Sequence, residues 1–276
     1  MSDKRPAPAS RPIWKGEQAR RRDVSEHVAH AIGLRIVAGR FPPGALLPTE
    51  HELCAELGVS RPALREGFRL LGARGMIVGR RKVGTQVRPR AGWNMLDAQV
   101  LAWHLEQEPS DAYIGRLFEA RMVVEPAAAA LAARRGGEGE IAAIASAFLQ
   151  MCQAQAAARP DGAADPDEVA DPDEVTETVA ADLRFHVAVL AAADNAFLSS
   201  FGAVIGSSLM AAFRLNWRSH ASAPELSLAQ HEAVLAAIRD GDADRAGSSM
   251  RALLESAGED ARQALARVVQ ASDKLD

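Results

Sequence analysis

Apolar positions recur at helical spacing along most of the chain. Val24, Val28, Ala31, Ile32 and Ile36 fall three or four residues apart and predict a first helix, with Asp23 as its cap and "AGRFPPG" as its end. "PTEHELCAELG" predicts a second, in which Thr49 and Glu52 form a capping box, Leu53 and Leu57 turn inward and Gly58 closes the helix. After the short "GVS", Ser60 caps a third helix, "RPALREGFRLLGARG", with Leu64, Phe68 and Leu71 on its inner face. Arg61, Arg65 and Arg69 repeat every four residues on another edge. The helical period then stops. In "GMIVGRRKVGTQVRPR" two short β-prone runs flank Arg80, Arg81 and Lys82, which predicts a hairpin with three cations at its tip, and Gly84 lets its backbone come close to a partner.

Everything after Gly92 reads as helix separated by short breaks. "WNMLDAQVLAWHLE" predicts a linker helix, followed by a long helix from about Asp111 to Arg134. Its inward stripe is Ile114, Leu117, Phe118, Arg121, Glu125 and Ala128, and Pro126 is expected to kink it. Ile141, Ile144, Phe148 and Met151 mark the next helix. In "ADLRFHVAVL" and the residues just before it, Val179, Leu183, Val187 and Leu190 predict a buried stripe on which His186 also falls, one turn after Asp182. Ser227 and Gln230 form a second expected capping box, and Leu228, His231, Leu235 and Ile238 share a face beyond it. A last helix buries Ala246, Met250, Leu253, Leu254 and Ala257. The predicted fold class is mainly α: a winged helix-turn-helix with a small β-hairpin, then an all-α antiparallel bundle.

Composition refines this picture in three places. A chain of 276 residues, 48% hydrophobic and 25% charged, has room for two cored domains. Cut near Arg90, it holds 18 Lys and Arg against 8 Asp and Glu before the cut, and 14 against 28 after it. The basic half points to a polyanion such as nucleic acid. No uninterrupted apolar run is expected to span a membrane, and the basic, proline-containing N-terminus lacks a secretory apolar segment, so the expected location is cytoplasmic. Cys54 and Cys152 fit reduced thiols. The expected domains are a disordered basic tail at 1–20, a winged helix at 21–90, a linker helix at 91–110 and a helical effector-binding and dimerisation domain at 111–270. Within the last, an acidic loop at 158–176 carries a perfect six-residue tandem duplication, "ADPDEVADPDEV".

Two constellations carry chemistry. The third helix has the width of the DNA major groove, and its first residues reach base edges or phosphates first, which makes Arg61 and Arg65 the leading contacts and Arg69 a backbone contact. Arg80, Arg81, Lys82 and Gly84 would meet phosphates or the minor groove. In the second half, Arg121 on a buried stripe needs an anion, either Glu125 one turn along or a ligand carboxylate in a cavity. Asp182 and His186 project from successive turns of one helix and His231 arrives from another, a donor set suited to a divalent ion such as zinc, nickel, manganese or iron.

"FPPGALLPTEHELCAELGVSRPALREGFRLLGARGMIVGRRKVGTQV" resembles the winged-helix domain of GntR-family bacterial transcription regulators, over roughly residues 24 to 88. The resemblance implies DNA contacts at Arg61 and Arg65 and a wing glycine at Gly84. Leu46 stands where many members carry arginine. "FEARMVVEPAAAALAA", "DLRFHVAVLAAADN" and "HEAVLAAIRDGDADRA" resemble the FadR-like, FCD-type ligand domain over about 112 to 265. That implies metal-ligand positions at Asp182, His186 and His231, with Leu253 where a further histidine is usual and a water, an effector oxygen or His220 left to take its place. Within that subfamily "RMVVEPAAA" and Asn216–Trp217 are similar to sugar-acid repressors of the galactonate-operon type. The implied effector is an aldonate, with Arg121, Glu125, Asn195 and Trp217 as its contacts, Asn195 having a helix cap as its alternative role.

The expected function is thus a homodimeric repressor on a pseudo-palindromic operator, released by a small carboxylate. The rivals are a metal-responsive regulator and, further off, a metal-dependent hydrolase using Asp182, His186 and His231, for which no convincing general base is present beyond Glu125.

Overall fold

The computed structural model describes residues 13–107, 110–157, 172–218 and 227–272, with side chains described in 24–107, 110–157, 177–213 and 227–267. It separates into two compact units, 1–107 and 108–276.

In the first unit α1 (Ile13–Val37) begins ten residues ahead of the expected cap at Asp23, so residues 13–20, expected as tail, are helical. Residues 1–12 of that tail lie outside the described residues. α2 (Glu50–Leu57) forms because both arms of the Thr49–Glu52 capping box close, and it ends where Gly58 turns left-handed at φ 65°. α3 (Arg61–Ala73) starts on the Ser60 hydroxyl, which accepts from the Ala63 amide. Val28, Ile32 and Ile36 of α1 pack with Leu53, Leu64 and Leu71 in one core, all fully buried. Gly67 sets how closely α1 and α3 cross: a Cβ there would lie 2.4 Å from Val28 Cγ1. Strands β1 (Ile77–Arg80) and β2 (Gly84–Val87) pair antiparallel, with Arg80 opposite Gly84, and Leu46 bridges to Gln86 on the free side of β2.

The expected linker helix is part of this unit's core. After a 3-10 turn at Arg90–Gly92, α4 (Ala98–Glu106) is capped by Asp97 and buries Trp103 completely. A Cβ on Gly33 of α1 would lie 2.5 Å from the Trp103 ring, and the indole Nε1 donates to His30 Nδ1 at 3.0 Å. An indole enclosed in this way fixes the helix to its domain, which an amphipathic reading of the segment alone does not reveal.

The second unit is all helical among the described residues: α5 (Asp111–Arg135), α6 (Glu138–Ala157), α7 (Pro172–Ala192), α8 (Ala196–Ser199), α9 (Gly202–Arg218), α10 (Leu228–Arg239) and α11 (Ala243–Ser272). α5 buries the whole expected stripe and stays one helix through Pro126. Residues 172–175, expected in the acidic loop, already belong to α7, where Pro172 suits a first helical turn. The rest of the duplication lies outside the described residues.

α7 is rotated from its expected orientation. Val187 is 40% exposed, and the buried face is Ala181, Asp182, Phe185, His186 and Val189. His186 and Leu190 of the expected stripe are buried, but the centre of the buried face lies one residue's rotation away, toward Asp182 and Phe185. The second capping box does not form either: Ser227 makes no side-chain cap bond. Ala196–Phe213 is an 18-residue window without charge, of mean hydropathy 1.7, but Ser199, Ser200, Ser207 and Ser208 interrupt it. The window is broken between α8 and α9 and places Ser207 and Ser208 inside the bundle, as an interior segment of a helical domain does.

Candidate functional site

Two sites emerge, one in each unit. On the first, Arg61, Arg65 and Arg69 all stand exposed along one edge of α3. Their surroundings differ. Arg65 Nε lies 3.1 Å from both carboxylate oxygens of Glu50, and its NH2 3.1 Å from Oε2. Arg69 is held by Glu66 of its own helix, with NH2 2.6 Å from Oε1. Arg61 has no carboxylate partner among the described residues, and neither do Arg80, Arg81 and Lys82. The wing turn is built by Lys82 at φ 62° and Gly84 at φ 119°, so the three cations project from a tight loop whose backbone only a glycine follows easily at its last position. Leu46 is 51% exposed beside this wing, an apolar side chain that offers phosphates nothing.

In the second unit four helices bring charge into the interior. α5 supplies Arg121 and Glu125, paired at 2.6 Å with side chains only 1–2% exposed. α7 supplies Asp182 and His186, α10 supplies His231, and α9 supplies Ser208, whose hydroxyl accepts from Arg121 NH1 at 3.3 Å. Asp182 Oδ1 stands 3.3 Å from His186 Nε2 and 3.2 Å from His231 Nε2. Glu125 Oε2 approaches His186 Nδ1 to 2.5 Å, an ion-pair contact that is not aligned as a hydrogen bond. Phe185 walls the histidines edge-on, 5.0 Å from the ring of His231 and 5.8 Å from that of His186.

These neighbours set protonation. Burial would lower the His186 imidazole, but Glu125 and Asp182 outweigh it and raise it to about 9. Burial would raise Glu125, but Arg121 and His186 hold it down at about 2. Burial opposes ionisation of Asp182 too, and the two histidines keep it well below the carboxylate range. With His186 protonated, it and Arg121 face the carboxylates of Glu125 and Asp182. A groove of about 390 Å³ opens in this unit between α5 and α11, lined by Ile114, Phe118, Met122 and Gly258 and by the charged Glu119, Glu255 and Arg262, with Arg121 behind the Phe118 ring.

The donor set nevertheless fits a divalent ion. His231 Nδ1 donates to the Ser227 carbonyl at 2.9 Å, which turns Nε2 toward the Asp182 carboxylate. At 3.2 Å that nitrogen can bond the carboxylate through its own proton or share a cation with it. Donor atoms sharing an ion at ~2.1 Å stand roughly 3 to 3.5 Å apart, as Asp182 Oδ1 does from each histidine Nε2. All three candidate ligand atoms lie within 4.8 Å of one another. Glu125 behind His186 and the Ser227 carbonyl behind His231 are the partners that orient ligating imidazoles.

Comparison with known proteins identifies both units. Residues 24–87 match the model for bacterial regulatory proteins of the gntR family, and residues 116–256 match that of the FCD domain. The galactonate operon transcriptional repressor of Escherichia coli (strain K12) is 34% identical over 84% of this chain and 94% of its own. The chain belongs to the GntR family of bacterial regulatory proteins. Other GntR-type relatives differ in their stated action: the Glc operon transcriptional activator of the same organism is 33% identical, over 49% of this chain and 51% of its own. Among solved structures, one described as "Lar controls the expression of the Listeria monocytogenes agr system and mediates virulence" shares the fold, with a TM-score of 0.58 at 17% identity over 87% of this chain and 96% of its own. The mainly α winged-helix and bundle architecture expected from the sequence is that of this family, and the relatives are regulators of transcription, not enzymes.

In this GntR member the structure brings Arg121, Glu125, Asp182, His186 and His231 together and leaves Asn195 out. Its side chain accepts from the Phe197 amide and caps α8. Trp217 is placed on α9, with its side chain outside the described residues, where His220 lies as well. Leu253 is buried in the apolar core of α6, α7, α10 and α11. Sequence reading missed Ser208 and Glu50. Paired serines in an apolar helical stretch were the signal for the first; the second gave none, because it meets Arg65 across the helix-turn-helix.

Proposed function

We propose that this GntR regulator represses a sugar-acid catabolic operon and releases its operator when a small carboxylate such as an aldonate reaches the buried cluster. The observation that carries the reading is Arg121, a guanidinium buried among ligand-type side chains at the meeting of four helices. Arg121 and the protonated His186 offset the carboxylates of Glu125 and Asp182. A divalent ion held by Asp182, His186 and His231 in place of the His186 proton leaves one net positive charge, which a monocarboxylate neutralises. Arg121 then has two carboxylates to choose from, the effector and Glu125, and its fork geometry suits either. Exchanging one for the other loosens the ties between α5, α7 and α10, and a shift in helix packing is the means by which such a domain signals.

The protein acts as a homodimer in the cytoplasm, since two-fold operators are read by two-fold proteins. Arg61, Arg65 and Arg69 contact the duplex from α3, and Arg80, Arg81 and Lys82 from the wing, with Gly84 admitting the close backbone. The same donor set supports a second reading, a regulator for which the metal is itself the signal. Binding to the duplex upstream of its own gene separates the two. The sugar-acid reading expects galactonate with manganese or zinc to weaken binding at least about tenfold, within the usual range of allosteric coupling. Metal alone producing the full effect favours the second reading, and no effect from any aldonate rejects the first.

A further inference from the structure

The cations of the DNA-facing unit fall into two classes. Arg61, Arg80, Arg81 and Lys82 have no carboxylate partner among the described residues, whereas Arg65 is gripped by a carboxylate from a different helix. We propose that Arg65 reads the edge of a guanine, and that Glu50 is its positioning residue.

Glu50 is anchored before it meets Arg65. It is the first residue of α2, directly after the Thr49 cap, where the positive end of the helix favours an anion and the Thr49–Glu52 capping box fixes the backbone. Its carboxylate takes the Nε–H of Arg65 and one N–H of NH2, each at 3.1 Å. A guanidinium has five N–H groups. The three that remain are both of those on NH1 and the outer one on NH2, and two of them form the end-on fork that matches O6 and N7 of guanine in the major groove.

An exposed ion pair of this kind, with side chains 67% and 38% exposed, contributes little to folding. What it does is restrict a long side chain to one direction, so less freedom is lost when a base is met. It also places a negative charge where phosphates would approach. That charge weakens contact with any duplex and leaves the contact with the right base, which is how a repulsive element produces specificity. Arg69 is also paired, but by Glu66 of its own helix and about one turn further from the N-terminus, where base edges are harder to reach. The inference rests on the reading that α3 lies in the major groove.

The test uses the full chain and a library of duplexes with randomised sequence, selected by binding and sequenced, alongside one mixed-sequence duplex titrated by fluorescence anisotropy. The native protein should select guanine at one position of each half-site, and Arg65→Ala should flatten that position. Glu50→Gln should relax the same position at least about fivefold and bind the mixed-sequence duplex more tightly, by about threefold. Added to Arg65→Ala, Glu50→Gln should change base preference no further. An unaltered preference in Glu50→Gln overturns the proposal, as does a loss in Arg65→Ala that is equal for every duplex, which would make Arg65 a phosphate contact. Failure of the native protein to bind any duplex would instead reject the underlying placement of α3. Unchanged thermal unfolding of Glu50→Gln excludes a merely structural effect.

Discussion

Arg61, Arg80 and Arg81 stand on the surface of the winged unit with no carboxylate at hand among the described residues, while Arg121 in the helical unit is 2% exposed and held to Glu125 at 2.6 Å. The same side chain serves opposite ends. On the surface an unpaired cation costs little and remains available to a polyanion, so its worth appears only on binding. In the interior an unpaired cation is not tolerated, so its partners must come from several helices and their arrangement specifies a packing. Surface cations should therefore be removable without harm to folding, and buried ones should not.

The largest effect is expected from the surface. Arg61→Ala combined with Arg65→Ala should weaken operator binding by about 10²- to 10⁴-fold, from a loss of ~1 to 3 kcal/mol at each contact. Fluorescence anisotropy on the operator duplex measures this. Thermal unfolding should stay within a degree or two of the native protein, because both side chains are solvent-exposed. A native-like affinity would show that α3 does not face the duplex.

Arg121→Ala should do the reverse. It leaves the buried carboxylates of Glu125 and Asp182 to share His186 without the guanidinium, for which the cost is about 3 to 5 kcal/mol, and the melting temperature should fall by roughly 10 °C. Binding of generic duplex below the melting range should persist, since the winged unit has its own core around Leu53, Leu64 and Trp103. Joint loss of stability and DNA binding would show that the two units do not fold separately.

How well each region was legible follows from the same contrast. Arg61, Arg65 and the wing could be read because periodic exposed cations and a short hairpin leave a one-dimensional trace. On α5, Arg121 and Glu125 were legible too, for they keep the spacing of Ile114, Leu117 and Ala128. α7 was misread because its buried face is centred on Asp182, Phe185 and His186, and no transfer scale expects a carboxylate at the centre of a core. The Ser227–Gln230 box fits its pattern, yet the Ser227 carbonyl serves His231 and its hydroxyl makes no cap. The three-dimensional partners Glu50 and Gly67 had no local signature at all, and Ser208 had only its pairing with Ser207.

The buried cluster also predicts a pH dependence of smaller size. His186 has a folded pKa of about 9, above its unfolded value, so its contribution is complete below about 6.5 and is lost as pH rises through 9. Glu125 works in the other sense: its stabilisation is present above the ordinary carboxylate range and is lost only as pH falls through that range toward about 2. Between pH 6.5 and 9.5 the apo protein should therefore lose stability, by at most about 3 kcal/mol. Urea unfolding at both pH values checks it. In His186→Asn the decline should flatten, and an equal decline in that variant would assign it elsewhere.

The smallest effect belongs to the wing and needs salt dependence to be seen. Arg81 projects from a loop fixed by Lys82 at φ 62° and Gly84 at φ 119°, exposed and with no base-reading partner positioned for it. Its contribution is then a phosphate charge and nothing more. Arg81→Ala should lower operator affinity and mixed-sequence affinity by the same factor, under about tenfold, and reduce the slope of log K against log salt by about one. Equality is the informative part. A contact that carries no base information must cancel from the ratio of specific to generic binding, whereas Arg65 must not. A change in that ratio would place Arg81 in the minor groove, reading its width or its A·T content, and would blur the division between cations that hold the duplex and the one that reads it.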